Sequence, residues 1–263
     1  MNGLRLFMIV LLGVLVAGCA TSSKPEPGNT GRTGMDRVSP VRAADVNTRL
    51  GVGYFERGDY QVALEKLERA VELDPAHVPA YVTLALIEEQ LGRDSRARRY
   101  YREAVSLAPE DGATLNGYAA FLCRQGEYRE ADEIFRRAIN DPFYETKEVV
   151  YANAGSCAIR AGRLDEAEGY LRQALEVAPE YPDALFNLAR LFLQRDDAFR
   201  ARAFLQRYEA ATGADPGALL LGYRIEQRLG NEREAARYFR RLEDQFPDSA
   251  EARNIRQQTS RDD

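Results

Sequence analysis

Between residues 44 and 249, apolar residues recur at spacings of three, four and seven, which predicts a series of amphipathic helices. An alanine opens a similar stretch six times, and successive alanines are 34 residues apart except for one step of 36. These alanines are Ala63, Ala97, Ala131, Ala167, Ala201 and Ala235. A residue suited to a left-handed turn precedes each stretch: Gly58, Gly92, Gly126, Gly162, Asp196 and Gly230. The pattern therefore predicts six helix–turn–helix units.

A helix–turn–helix unit of this period resembles the tetratricopeptide repeat. The resemblance implies an all-α, right-handed α-solenoid of six repeats, with a capping helix and disordered tail at 250–263. The predicted repeats are 44–77, 78–111, 112–145, 148–181, 182–215 and 216–249. We expect small residues at the helix crossings, namely Gly51, Ala85, Ala119, Gly155 and Ala189. We expect larger apolar residues to fill the space between helices, namely Leu50, Tyr54, Leu84, Tyr118, Leu188 and Phe192.

The first residues have the features of an export signal. Arg5 precedes an apolar run from Leu6 to Val16, which is short for a membrane span. The following Ala17-Gly18-Cys19 resembles the end of a bacterial lipobox, which implies cleavage before Cys19 and lipid attachment to its sulfur. We therefore expect a signal peptide at 1–18, and at 19–43 the lipidated Cys19 and a flexible tether. An ordinary secretory signal that ends in cysteine is the alternative.

Composition limits the chemistry that the chain can perform. The net charge of −5 argues against nucleic acid as a partner. The single histidine, His77, excludes a histidine metal cluster, and we expect it to be solvated in an inter-repeat turn. Gly51-Val52-Gly53 lacks the third glycine of a dinucleotide-binding motif, and no phosphate loop or nucleophile elbow is present. We expect a non-enzymatic protein without a cofactor or a metal.

Two further cysteines lie in the middle of the chain. Cys123 and Cys157 fall near the ends of the first helices of repeats three and four, which are neighbours in a solenoid. If the lipobox assignment is correct, the chain is exported to an oxidising compartment. We therefore predict a disulfide between them; the alternative is a pair of buried thiols packed as small apolar groups.

The concave side of such a solenoid is lined mainly by positions two, five, nine, twelve and thirteen of each first helix. These inner positions are apolar in the first repeats and basic in the later ones, from Arg124 to Arg228. We expect an exposed partner-binding groove formed by Val52, Phe55, Val82, Leu86 and Asn116. The alternative is that the capping region folds over part of this patch.

Segments in the middle of the chain are more specific. Asn116-Gly117-Tyr118-Ala119-Ala120-Phe121-Leu122-Cys123, Pro142-Phe143-Tyr144 and Tyr151-Ala152-Asn153-Ala154-Gly155-Ser156-Cys157-Ala158 resemble the PilF/PilW family of type IV pilus lipoproteins, the pilotins. Both cysteines match the family's pair. The resemblance implies an outer-membrane lipoprotein that helps the pilus secretin to localise and multimerise. It implies the secretin as protein partner and the outer membrane as lipid-anchored location, and we expect a monomer. A generic repeat lipoprotein that scaffolds cell-wall hydrolases or outer-membrane assembly is the alternative.

Overall fold

A computed structural model describes residues 39–262, with side-chain environments described as far as Gln257. The predicted signal peptide, Cys19 and most of the predicted tether lie outside the described residues. Within 39–262 the chain forms thirteen helices and no strand, which confirms the all-α prediction. They are α1 (Pro40–Glu56), α2 (Tyr60–Leu73), α3 (Val78–Gln90), α4 (Asp94–Leu107), α5 (Gly112–Arg124), α6 (Tyr128–Asn140), α7 (Lys147–Arg160), α8 (Leu164–Val177), α9 (Pro182–Gln194), α10 (Ala198–Thr212), α11 (Pro216–Arg228), α12 (Glu232–Gln245) and α13 (Ala250–Asp262).

The helices pack in consecutive pairs, from α1 with α2 to α11 with α12. The backbone of each odd-numbered helix approaches that of the next odd-numbered helix closely, whereas among the described residues successive even-numbered helices meet only through long side chains, as where the Tyr170 hydroxyl of α8 donates to Asp132 of α6 at 2.9 Å. The odd-numbered helices are therefore crowded together on the inside of the curve, and we call them the inner helices. The even-numbered helices α2 to α12 are the outer helices. Surfaces of the inner helices that face into the curve form the inner face.

Close contacts between the two helices of a repeat require small residues. A Cβ atom on Gly51 would lie 2.6 Å from Leu67 Cγ, and one on Gly155 would lie 2.6 Å from Leu171 Cγ. Glycine therefore allows α1 to approach α2, and α7 to approach α8, closely enough to bury the leucines completely. In the turn of the fifth repeat, Asp196 replaces the glycine and still adopts a left-handed φ of 64°.

At the start of the solenoid the structure differs from two predictions. Helix α1 begins at Pro40, so residues 40–43 are helical and do not belong to a tether. Proline suits the first position of a helix because its fixed φ is already helical and its missing N–H has no partner there. Leu50 was expected to fill space between helices, but 47% of it is exposed. No helix within 39–262 precedes α1, so this side of α1 has no neighbour in the described part of the chain.

His77 is a third difference. It is buried, with 9% of its surface exposed, rather than solvated. Its Nε2 lies 3.7 Å from Asp45 Oδ1 of α1, and its Nδ1 lies 3.8 Å from Asp74 Oδ2 in the preceding turn. The turn folds back against α1, and the imidazole is enclosed between the two carboxylates.

At the other end, α13 packs against α11 and α12. Its Ala252 and Ile255 are fully buried in a cluster with Leu219 and Leu242. The helix continues to Asp262, so it extends through residues where a disordered tail was predicted.

The extra two residues of the repeat pattern are absorbed by the connection between α6 and α7. Asp141 accepts hydrogen bonds from the backbone N–H groups of Gly112 and Phe143, each at 2.8 Å. These bonds lower the pKa of Asp141 because they stabilise its charged form. Tyr144 packs on Gly112, where any Cβ would clash with its ring, while Phe143 projects outward and is 89% exposed.

Candidate partner-binding surface

The five predicted groove residues all lie on inner helices. Val52 and Phe55 are on α1, Val82 and Leu86 are on α3, and Asn116 is on α5. Leu86 is the most accessible, with 38% of its surface exposed, while the other four are half-buried. The patch is therefore a shallow apolar surface with one projecting side chain.

Packing within the first repeats explains this partial burial. The Phe55 ring lies 5.9 Å from the Tyr60 ring across the intra-repeat turn. Val82 packs against the core of the next repeats, which includes Ala85 and Leu115. The capping helix α13 contacts α11 and α12 and does not reach α1 or α3, so it leaves the patch uncovered.

Asn116 has a partner on the next inner helix. Its Oδ1 accepts a hydrogen bond from Asn153 Nδ2 at 3.0 Å, which links α5 to α7. This bond fixes the amide orientation and leaves the Asn116 Nδ2 group as a donor for a ligand. Asn116 thus marks the end of the apolar surface.

A cavity of about 570 Å³ opens beside Val82, between the first turns of α3 and α5. Its walls are mostly apolar or small. They comprise Val78, Pro79, Val82, Thr83, Ala108, Asp111, Ala113 and Thr114. Sequence reasoning missed this space, although the small residues Ala113 and Ala108 at the start of the third repeat were a usable signal. A ligand on the patch could place one apolar side chain here.

An ion pair borders the patch on the side of the later repeats. Arg124 Nη2 donates to Glu89 Oε2 at 2.7 Å, and a second bond joins the same two side chains. The hydrogen bond to Glu89 raises the pKa of Arg124. Nearby, the Tyr101 hydroxyl is buried without a hydrogen-bond partner, and burial raises its pKa, so it remains protonated.

The predicted cysteine pair lies just beyond this ion pair. The structure joins Cys123 of α5 to Cys157 of α7 in a disulfide, with their Cα atoms 5.7 Å apart. That separation is within the usual range for a disulfide. Both residues are buried, at 5% and 2% exposure, so the bond links two inner helices from within the core.

The described residues contain no group of three or more His, Cys, Asp or Glu side chains that could hold a metal ion. Nor does any of their helices have the length and apolar character that a membrane crossing requires. What the surface offers chemically is apolar contact, amide hydrogen bonding and charge, which are means of binding a protein segment.

Comparison with known proteins agrees with this architecture. Sequence models of the tetratricopeptide repeat match residues 48–112, 112–141, 158–222 and 219–249. The type IV pilus assembly protein PilF of Pseudomonas aeruginosa is 28% identical over 247 residues, which are 94% of this chain and 96% of PilF.

Two solved structures extend the similarity to the fold. The crystal structure of PilW, a widely conserved type IV pilus biogenesis factor, is 30% identical with a TM-score of 0.76. The match covers 81% of this chain and 97% of PilW. The structure of Pseudomonas aeruginosa PilF has a TM-score of 0.71 and 26% identity, covering 83% of this chain and 99% of that one. The chain therefore belongs to the tetratricopeptide-repeat family of type IV pilus biogenesis proteins that includes PilF and PilW.

Proposed function

We propose that this protein is a pilotin, an outer-membrane lipoprotein that promotes the localisation and multimerisation of the type IV pilus secretin. In this proposal it binds a segment of each secretin protomer on the inner face of its first repeats. The lipid on Cys19 anchors it, and the tether allows the solenoid to reach its partner. The protein makes and breaks no covalent bond in this role.

One observation carries the proposal. Apolar side chains occupy the inner positions of two successive inner helices, Leu86 among them is exposed, and the capping helix α13 does not reach either helix. An apolar surface on the inside of a repeat solenoid is typical of a site for a protein segment. Membership of a pilus biogenesis family makes a pilus component the expected ligand.

The lipid anchor should promote secretin assembly by confining the bound protomers to one membrane. Several acyl chains on one cysteine hold a protein at a membrane far more firmly than a single chain does. A secretin segment bound to an anchored solenoid is then confined to the same membrane. Confinement raises the effective concentration of protomers for one another, which favours multimers without a new contact.

The test replaces apolar side chains of the patch and follows secretin multimers in cell envelopes. Leu86→Arg and Val82→Glu place charges on the patch and should reduce the secretin multimers in the outer-membrane fraction by about tenfold or more. Leu107→Arg is the matched control, because Leu107 is also 38% exposed but lies on the outer helix α4. The control should retain normal multimers and pilus-dependent motility.

The outcomes are distinct. Normal multimers in both patch variants, with unchanged thermal melts, would overturn the groove assignment. Equal loss in the Leu107 control would point to a general effect of surface charge instead. Recovery of the unaltered protein outside the outer-membrane fraction would overturn the proposed location.

A further inference from the structure

The inner face changes character along the solenoid. Position nine of the inner helices is apolar in repeats one and two, small in three and four, and basic in five and six. The six residues are Val52, Leu86, Ala120, Ser156, Arg190 and Arg224. Position thirteen adds Arg124, Arg160 and Arg228, whereas none of the inner positions of α1 and α3 carries an arginine or a lysine.

Three of these arginines, Arg160, Arg190 and Arg224, have no carboxylate partner among the described residues, whereas Arg124 is paired with Glu89. Among the inner positions of α7, α9 and α11, the only acidic residue is Asp183, on the first turn of α9. Arg190 and Arg224 are exposed and make no ion pair with any described residue. Arg160 donates to the backbone carbonyl of Arg124 at 3.4 Å and has no carboxylate partner among the described residues, whereas the Arg124 side chain is paired with Glu89.

What is particular to the inner face is that the unpaired Arg190 and Arg224 occupy equivalent positions of two successive helices. Outside the inner positions, Arg195, Arg202 and Arg241 each contact a carboxylate, for example Arg202 Nη2 with Glu226 Oε2 at 2.6 Å. On the inner face, Arg228 alone of the arginines in the last repeats has such a partner, Asp196 at 3.2 Å. The chain as a whole has a net charge of −5, so the basic stretch of the inner face stands against an acidic background.

We propose that the basic half of the inner face, defined by Arg160, Arg190 and Arg224, binds an acidic, extended stretch of a protein partner. This inference rests on the proposed binding role of the inner face. It adds that the part of the ligand that reaches the later repeats is acidic. The ligand then combines an apolar part, seated on the Leu86 patch, with Asp or Glu residues that reach the later repeats. Charge complementarity favours such a ligand, because the planar guanidinium group of an arginine can donate two parallel hydrogen bonds to one carboxylate.

The spacing suits an extended chain. Packed helices lie roughly 8–10 Å apart, and an extended chain in the polyproline II conformation has three residues per turn and rises about 3.1 Å per residue. Every third side chain of such a ligand points the same way and can therefore face Arg190 and then Arg224 on successive inner helices. A flat anionic bilayer fits this surface less well, because the arginines lie on the inside of a curve.

The test measures binding of a fluorescein-labelled oligo-glutamate peptide to the purified protein by fluorescence anisotropy at low salt. Arg190→Glu combined with Arg224→Glu should weaken binding by about tenfold or more. Arg129→Glu combined with Arg240→Glu is the matched control, since both arginines are exposed on outer helices and the change in net charge is the same. The control variant should bind the oligo-glutamate peptide nearly as tightly as the unaltered protein does. Added salt should weaken peptide binding by both the control variant and the unaltered protein.

Several results would overturn the inference. Absence of oligo-glutamate binding by the folded protein is one, and equal loss in the control pair is another. Binding of phosphatidylglycerol vesicles through Arg190 and Arg224 without peptide binding would assign the surface to lipid instead. These measurements use no secretin, so they can fail while the Leu86 test succeeds, and the reverse also holds.

Discussion

The two ends of the solenoid are finished in different ways. At the carboxy-terminal end, α13 buries Ala252 and Ile255 completely against α11 and α12. At the amino-terminal end, α1 leaves Val46 and Leu50 exposed, at 41% and 47%. One repeat later, the equivalent Ala80 and Leu84 are fully buried.

The comparison shows that burial in a solenoid depends on the neighbouring repeat as well as on the residue. Leu50 and Leu84 are the same amino acid at the same repeat position, yet within the described part of the chain only Leu84 has a preceding repeat to pack against. In repeat proteins, stability is approximately the sum of repeat terms and nearest-neighbour interface terms. At the carboxy-terminal end, α13 packs against the last repeat. At the amino-terminal end of the described chain, no element packs against the Leu50 side of α1, so one stabilising interface is missing there.

The largest loss of stability is expected from disrupting the packing of α13 at the carboxy-terminal end. Ile255→Asp places a carboxylate in a fully buried apolar site and should destabilise the protein by about 4 kcal/mol. Release of α13 also exposes Leu219 and Leu242, so the loss should appear in the melting of the last repeats. Thermal unfolding followed by circular dichroism measures it.

The neighbouring substitution Asn254→Asp provides the control, because Asn254 is exposed on the same helix. It should change stability by less than about 0.5 kcal/mol. If Ile255→Asp were as mild as this control, α13 would contribute nothing as a cap, and the contrast between the two ends would disappear.

A somewhat smaller effect is expected in the middle of the solenoid, where neither end is involved. The Cys123–Cys157 bond closes a loop with a sequence separation of 34 residues. Chain entropy predicts that replacing both cysteines by serine lowers the free energy of unfolding by roughly 3–4 kcal/mol. Urea unfolding of the oxidised protein and of the double variant measures the difference.

Intact mass provides an independent check on this bond. Protein isolated from the cell envelope, denatured without reductant and treated with an alkylating reagent should gain no mass at Cys123 or Cys157. Two alkylated thiols would contradict the disulfide and favour the alternative of buried, reduced cysteines.

Sequence reasoning succeeded where the repeat period alone decides the outcome. The period located the helix pairs, and the left-handed turn at Asp196 followed from its alignment with five glycines. It failed where burial depends on contacts that the repeat period does not specify. The burial of His77 arises because Asp45 of α1 lies across the turn, and the exposure of Leu50 arises because no repeat precedes α1 within residues 39–262. The spacing of apolar residues along the chain predicts neither of these two environments.

The same reasoning applies to the candidate surface. Alignment of the repeats placed Val52, Val82 and Leu86 on one face, because equivalent positions of successive inner helices point the same way. It did not predict how deep each side chain lies or that a cavity adjoins Val82. Those features depend on side-chain sizes in the adjoining turn, which a binary pattern of apolar and polar positions does not record.

The smallest expected effect gives the sharpest test of the comparison between the ends. Leu84→Ala removes a fully buried side chain and should cost about 3 kcal/mol, through lost transfer energy and the cavity left behind. Leu50→Ala, at the equivalent position one repeat earlier, should change stability by only about 0.5 kcal/mol. Both are measured by urea unfolding of the mature protein, and each serves as the control for the other.

The result also reports on the surroundings of α1 in solution. A small loss of stability from Leu50→Ala, together with a large loss from Leu84→Ala, means that the side of α1 that carries Leu50 is open to water. Equal costs mean that this side is covered, either by the residues that precede Ser39 or by a second copy of the chain. Repeating the Leu50→Ala measurement at several protein concentrations separates these two, because only coverage by a second copy makes the cost depend on concentration.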